Sequence, residues 1–490
     1  MASHRLGVPA PIISDRQFSK PLMCGPGPND LYPAVAAAYA APVISPACAE
    51  YYKVIEDIRA GIQYAFQTRS NLVLAVSGSG HAGMETVICN LLAPGELLLV
   101  PSRGLWDERA KDMARRYGIR VETIKTSEPF TTFSLEELES ALERHRPAGL
   151  FITHGDSSTG TLQTLKGLGD LCHKYDTLLL VDIVASLGAE PVLMDEWGVD
   201  GAYASCQKAL SGPAGVAPVA FSARADAYYA SWQKALSGPA GVAPVAFSAR
   251  AERSYSGCRR RVCVVPEGAE QAGRAFSARA EAKIFSRSHD VPFYFDITFL
   301  ARQWKCYDDT FFYHHTLSSP LLFALRACLS QLAQESLPRA WARHAAVTAH
   351  FHARLRAHGF RFLVRRPEDR MNAITTVLPG MECNTFVAEL RSKAWSTEVT
   401  KDRGEWKRKT CCADPHNAGG AGRRREKDST GFILIIIHGY RHNIMITPGL
   451  GPTAGVAVRV GLMGANASAA VADRVADAMA DVAGLRNATE

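Results

Sequence analysis

The amino-acid sequence predicts an α/β fold in which a mainly parallel sheet lies between helices, followed by a smaller C-terminal α/β domain. Three observations carry this. Six short apolar runs fall between residues 72 and 205, each bounded by polar or glycine-rich breaks. Helical stretches separate them, and strands joined by crossover helices form a parallel sheet covered on both faces. Glycines, an acid and a lysine cluster just past the ends of these runs, where such sheets bind ligands.

In chain order, the strands are expected at Leu72–Val76, Glu96–Val100, Arg120–Ile124, Gly149–Thr153, Thr177–Val181 and Gly201–Ser205. Between them the apolar spacing predicts helices such as Ala82–Leu92, Trp106–Tyr117 and Ser134–Arg144. The last opens with a Ser134…Glu137 capping box, which satisfies two free backbone N–H groups reciprocally. From about residue 336 a long helix, Leu337–His358, and strands at Phe360–Val364, Ala373–Val377 and Val456–Val460 predict the smaller domain. The reading is thus an N-terminal arm over 1–22, a large domain over 23–335 and a small domain over 336–490.

Two stretches interrupt this order. Residues 207–225, QKALSGPAGVAPVAFSARA, recur unchanged at 233–251, and a fragment, AFSARAEA, returns at 275–282. Near-perfect identity in so few copies is unlike a solenoid, whose repeats drift and stack in complete units. It marks 226–274 as a duplication or insertion. Over 392–438 the apolar periodicity stops, and the composition predicts a solvated, flexible inserted loop. Within 401–428 nine Lys/Arg stand against five Asp/Glu, a surplus of four out of the net +7 of the whole chain. The rest is near neutral, which argues against nucleic acid or a membrane surface as partner.

With 47% apolar and 21% charged residues among 490, the composition is that of a globular protein and excludes a disordered or collagen-like chain. The twelve cysteines show no CxxC spacing, so neither a zinc site nor a redox pair is expected and a reducing compartment is the default. No run approaches the roughly 18 apolar residues of a membrane span. The N-terminus lacks the apolar core of a secretory signal, and Arg5, Arg16 and Lys20 beside Asp15 make only a weak organelle-targeting pattern.

Three constellations stand at strand ends. SGSGH (77–81) follows one strand and opens a helix, where free N–H groups and the helix dipole cradle an anion; a plain tight turn reads the same way. Asp182 ends the run LLLVD (178–182), and a buried carboxylate there needs a cationic or hydrogen-bonding partner; a helix-capping role is the alternative. Lys208 follows the run at 201–205, where a closed cleft lowers a lysine's pKa and makes it a Schiff-base nucleophile; a solvated surface lysine is the alternative. A phosphate cradle, an acid for a pyridinium nitrogen and a lysine for an aldehyde are together what pyridoxal phosphate requires.

At this level the sequence resembles a known family. GPGP (25–28), SGSGH (77–81), THGDSSTG (153–160), LLLVDIVASLG (178–188), SCQKAL (205–210), YHHT (313–316) and TPGLGP…VRVGLMG (447–464) look like the peroxisomal and mitochondrial alanine–glyoxylate (serine–pyruvate) aminotransferases, class V of the fold-type I pyridoxal phosphate enzymes. The likeness covers most of 1–225 and about 275–392 and 439–485. It implies a large domain with a mainly parallel seven-stranded sheet, and transfer of an amino group from alanine or serine to glyoxylate or pyruvate by a ping-pong Schiff-base mechanism.

By this resemblance Lys208 holds the cofactor and moves the proton, and Asp182 pairs with the pyridinium nitrogen. Ser79, Gly80, His81 and Gln207 match the phosphate positions, Trp106 the aromatic stacked on the ring, and Ser157 a further cofactor contact. Tyr313 and Thr316 match residues that reach the phosphate of a neighbouring subunit, which implies a homodimer with shared sites. Arg459 matches the arginine for the substrate carboxylate, and a guanidinium fork suits small 2-amino and 2-oxo acids. Gly25 and Gly27 resemble the loop at the substrate mouth. Without the resemblance, Trp106 reads equally as core, His314 and His315 as structural histidines, and Arg459 as a loop-stabilising residue.

The departures leave alternatives open. The duplication places Lys234 in a setting almost identical to that of Lys208; Lys208 is preferred because its copy continues the segment that carries Asp182. A cysteine desulfurase of the same class would need a loop cysteine, for which only Cys411 and Cys412 in the inserted loop qualify, and a catalytically impaired paralogue is a further reading. The family likeness implies a peroxisomal location, with mitochondrial or cytosolic alternatives, although Asn487–Glu490 lacks a Ser-Lys-Leu type of signal.

Overall fold

The computed structural model describes residues 21–222, 291–306, 312–379, 396–402, 405–411 and 444–485. Its central sheet has seven strands in the spatial order Val73–Ser77, Val216–Phe221, Gly201–Tyr203, Leu178–Asp182, Gly149–Thr153, Leu97–Ser102 and Arg120–Lys125. The last five run parallel to one another. The centres of their inner members are buried: Leu150, Phe151, Ile152, Leu179, Leu180 and Val181 have no solvent exposure. Such strands read as continuous apolar runs because both faces are covered by helices. All six expected strands are present, Gly149–Thr153 with the expected bounds and the others with one end or both one or two residues away.

Val216–Phe221 was not among the expected strands. It runs antiparallel to both neighbours and fills the slot between Val73–Ser77 and Gly201–Tyr203, buried throughout. Its residues belong to the repeated unit, so the repetition hid an ordinary strand. The capping box forms as expected: Glu137 N donates to Ser134 Oγ at 3.2 Å and Ser134 N to Glu137 Oε2 at 2.8 Å, opening the helix Leu135–His145.

A second, four-stranded antiparallel sheet has the order Arg361–Phe362, Ile374–Leu378, Val458–Gly461 and Thr447–Pro448. Helices Leu337–Ala357 and Ala469–Ala483 close over it, with Phe351, Leu355, Val458, Val460, Val475 and Met479 in one apolar cluster. Leu22–Met23 pairs in parallel with Ile444–Met445, and Cys24 joins the same cluster. Residues 23 and 24 therefore pack with the C-terminal layer, although the sequence reading begins the large domain at 23. Two paired residues carry no periodicity that could have revealed this.

The inserted stretch expected to be a flexible loop contains an antiparallel hairpin, Ser396–Asp402 with Glu405–Cys411. Thr397, Val399, Thr400, Trp406 and Thr410 are strand-forming types, and the register pairs Glu398 with Lys409, so charge density alone was a poor guide. Cys411 ends the second of these strands rather than lying in a loop; Cys412 lies outside the described residues, as does Lys234. Among the described residues no helix is long and apolar enough to cross a membrane.

Candidate active site

The carboxyl ends of the parallel strands open on one cavity of about 280 Å³. Ser79, Gly80, His81, Trp106, Ser157, Asp182, Gln207, Lys208, Arg459 and Gly27 all line it. Ten residues chosen from motifs scattered over more than 430 positions are thus neighbours in space.

The anion cradle follows from the strand-to-helix turn. Val73–Ser77 ends, Gly78 turns with φ +145°, and the helix Gly80–Leu91 begins. Ser79 is the N-cap but its hydroxyl makes no capping bond, so the first-turn N–H groups of the helix have no acceptor from it. Ser205 Oγ lies 3.6 Å from where a Cβ on Gly80 would stand, and Ser205 Oγ and Gln207 Oε1 are buried without a hydrogen-bond partner. Orphaned polar groups beside a helix N-terminus are what a phosphate would satisfy.

Asp182 ends its strand deep in the sheet. Oδ1 accepts from Val184 N at 2.8 Å and Oδ2 from the Tyr203 hydroxyl at 2.6 Å. Burial pushes its carboxyl up to about 7, against the pull of these two bonds; the like charges of Asp156 and Asp107 push the same way as burial. Lys208 is also buried, and its Nζ donates to the carbonyl oxygen of Pro26. Burial first, then the positive charge of Arg459, lowers its ammonium to about 8; Asp182 and Asp156 oppose the shift. Gly27 has φ +110°, and a Cβ there would come within 2.7 Å of Lys208 Cδ, so this loop can cover the lysine only with glycine at that position. Gly25 does not line the cavity; it packs against Thr447 behind the same loop.

Trp106 is held rather than merely packed: its Nε1 donates to Ser157 Oγ at 2.8 Å, and His81 meets its ring edge-on at 5.8 Å. Arg459 is buried, with Nη1 donating to Ser157 O at 3.0 Å and Nε to Pro448 O at 2.9 Å. Nη2 makes no hydrogen bond among the described residues. Burial lowers its pKa to about 10, with Asp156 opposing, so the group stays cationic at neutral pH. Ser157 thus fixes the indole with its side chain and the guanidinium with its carbonyl.

Tyr313 and Thr316 do not line the cavity. Tyr313 is exposed, and the two hydroxyls bond to each other at 2.6 Å. Two contributors escaped the sequence reading. Tyr203 lies opposite Asp182 in strand register, a relation visible only once the pairing is known. Asp156 stood inside the quoted THGDSSTG motif; its Oδ1 accepts from Ser158 N at 2.6 Å and Thr159 N at 3.1 Å, shaping the loop that presents Ser157.

A helix N-terminus with orphaned polar neighbours, a buried carboxylate, a buried lysine and a fixed indole in one cavity fit pyridoxal phosphate. Comparison with known proteins agrees. The family model for aminotransferase class V matches residues 37–234. Alanine–glyoxylate aminotransferase of Rattus norvegicus is 35% identical over 482 residues, 98% of this chain and 92% of the relative. The Drosophila melanogaster enzyme of the same name is 34% identical over 403 residues, 81% of this chain and 88% of the relative. The crystal structure of alanine–glyoxylate aminotransferase from Nostoc sp. superposes with a TM-score of 0.71 at 29% identity, covering 96% of this chain and 97% of that one. Identity at this level across nearly the whole length, joined to this cavity, places the chain in the class-V aminotransferases, fold-type I enzymes that work with pyridoxal phosphate.

Proposed function

We propose that this aminotransferase moves the amino group of alanine or serine to glyoxylate or pyruvate in a ping-pong cycle. The observation that carries the reading is the convergence of Lys208, Asp182, the 80–91 helix N-terminus and Arg459 on one buried cavity. The names of the relatives at 34–35% identity support the substrate pair.

Pyridoxal phosphate, when bound, supplies an electron sink conjugated with the substrate's amino nitrogen. Ser79, Gly80, His81 and Gln207 would hold its phosphate, Asp182 its ring nitrogen and Trp106 its ring face, with Ser157 fixing the indole. Lys208 would hold it covalently and then, as a free amine, take the proton from the substrate Cα. A buried lysine shifted to about 8 has a sizeable neutral fraction near neutral pH, as a base requires. Arg459 binds the substrate carboxylate, its guanidinium already aimed by Ser157 O and Pro448 O. The Gly25–Gly27 loop covers the mouth.

Adding pyridoxal phosphate to the full chain is expected to raise a visible absorbance band that survives Lys234→Ala and is lost in Lys208→Ala, and alanine with glyoxylate should yield pyruvate and glycine. A band that survives Lys208→Ala but not Lys234→Ala reassigns the cofactor lysine, and no band in any variant ends the reading.

The same proposal includes a homodimer in which Tyr313 and Thr316 of each chain reach the other's phosphate site. Its support is the exposed aromatic surface of Phe293, Tyr294 and Tyr313 beside Ser77, whose carbonyl accepts from Tyr294 Oη at 3.2 Å. Sedimentation of the cofactor-loaded chain should give a dimer; a monomer with full cofactor affinity rules it out. Family likeness alone supports a peroxisomal location, which fluorescence imaging of the full-length chain in cells would check.

A further inference from the structure

Asp182 and Tyr203 are register partners on adjacent parallel strands, and both are buried. The tyrosine has little freedom. Its ring stacks on Phe151 with centroids 6.4 Å apart and planes 26° apart, and Gly83 packs so closely that a Cβ there would stand 3.0 Å from Tyr203 Cβ. Its hydroxyl donates to Asp182 Oδ2 at 2.6 Å, while Val184 N holds Oδ1 from the other side. Burial and the adjacent Asp182 raise the phenol well above its ordinary range, so it remains a donor at every physiological pH. The other charged groups acting on Asp182 are Asp156 and Asp107, which disfavour its ionised form, and Lys208, whose own pKa Asp182 raises.

We propose that Tyr203 is a positioning residue: its hydroxyl keeps the Asp182 carboxylate ionised and fixed in the orientation that meets the cofactor's ring nitrogen. This rests on the reading of Asp182 given above. Without the phenol, one of two donors opposing burial is gone, and the carboxylate takes up a proton at a higher pH than before.

The test is the dissociation constant of pyridoxal phosphate, read by quenching of intrinsic tryptophan fluorescence. It is measured for the full chain and for Tyr203→Phe at pH about 6.5 and about 8.5, on either side of the acid's midpoint near 7, with circular dichroism to verify the fold. Loss of one hydrogen bond to a charged group predicts about tenfold weaker binding at the lower pH. At the higher pH, where Asp182 ionises unaided, the loss should shrink to about threefold or less. In an Asp182→Asn background the Phe substitution should add nothing. Fluorotyrosine at 203, a stronger donor, should tighten binding at the lower pH. Equal loss at both pH values, the same loss in the Asp182→Asn background, or no change with either tyrosine replacement overturns the proposal. Absence of binding by the unmodified chain overturns both this and the cofactor assignment.

Discussion

Burial and the neighbouring Arg459 bring the Lys208 ammonium from its ordinary 10.5 to about 8 in the folded chain. A group whose folded pKa is depressed contributes stability above its unfolded value and loses it as pH falls through the folded value. Without cofactor, Lys208 therefore destabilises the fold below pH 8, by roughly 3 kcal/mol at full effect. Lys208→Met should raise the urea midpoint of the cofactor-free chain at pH 7 and lose that advantage progressively between pH 8 and 10.5; a gain independent of pH would contradict the electrostatic origin. Arg459 makes the complementary case for binding. Its backbone acceptors fix the guanidinium, so Arg459→Ala should raise KM for both the amino and the oxo acid by about a hundredfold, the scale of a buried charged hydrogen-bond pair. Steady-state kinetics with each substrate varied in turn checks this, and an effect confined to one substrate would show that Arg459 does not serve both half-reactions.

The elements differ in how plainly the sequence announces them. Gly149–Thr153 and Leu178–Asp182 are central strands, so their apolar runs are uninterrupted and easily seen. The Ser134…Glu137 box is purely local, and it forms as read. Ser134→Ala should cost about 1 kcal/mol, measurable as a lowered urea midpoint with unchanged slope. Other features depend on partners distant in sequence. Leu22–Met23 is a strand only because Ile444–Met445 lies beside it, and the Tyr203–Asp182 bond exists only because two strands share a register. The strand Val216–Phe221 went unassigned although it lies outside the stretch 226–274 marked as an insertion; its residues were read only as part of the repeated unit. Sequence motifs named the cofactor side of the site well, because glycines, an acid and a lysine at strand ends have a local signature. They were silent on what holds those groups in place.

For the whole molecule, the repeated unit makes a definite prediction. The described residues stop at 222 and resume at 291, and Lys208 already lies in the cavity. Deleting residues 226–251, one full repeat, should leave both the visible cofactor band and the thermal midpoint unchanged. Loss of the band on deletion would mean that the second copy supplies the cofactor lysine.

The strand Val216–Phe221 also sets the order in which the sheet can be assembled. Val73–Ser77 hydrogen-bonds to no other strand of the sheet, so it waits, with both edges open, until a segment nearly 140 residues later has been made. Long-range pairing of this kind folds slowly and exposes an edge meanwhile. The sequence VAPVAF that fills the slot occurs again, unchanged, at 242–247. Measured from Val73–Ser77 alone, chain entropy favours the nearer copy by only about 0.2 kcal/mol, but the other neighbour, Gly201–Tyr203, stands far closer in sequence to the first copy, which favours it by about 1 kcal/mol. Refolding therefore has two unequal claimants for one place, and removal of the second should simplify its kinetics to fewer phases.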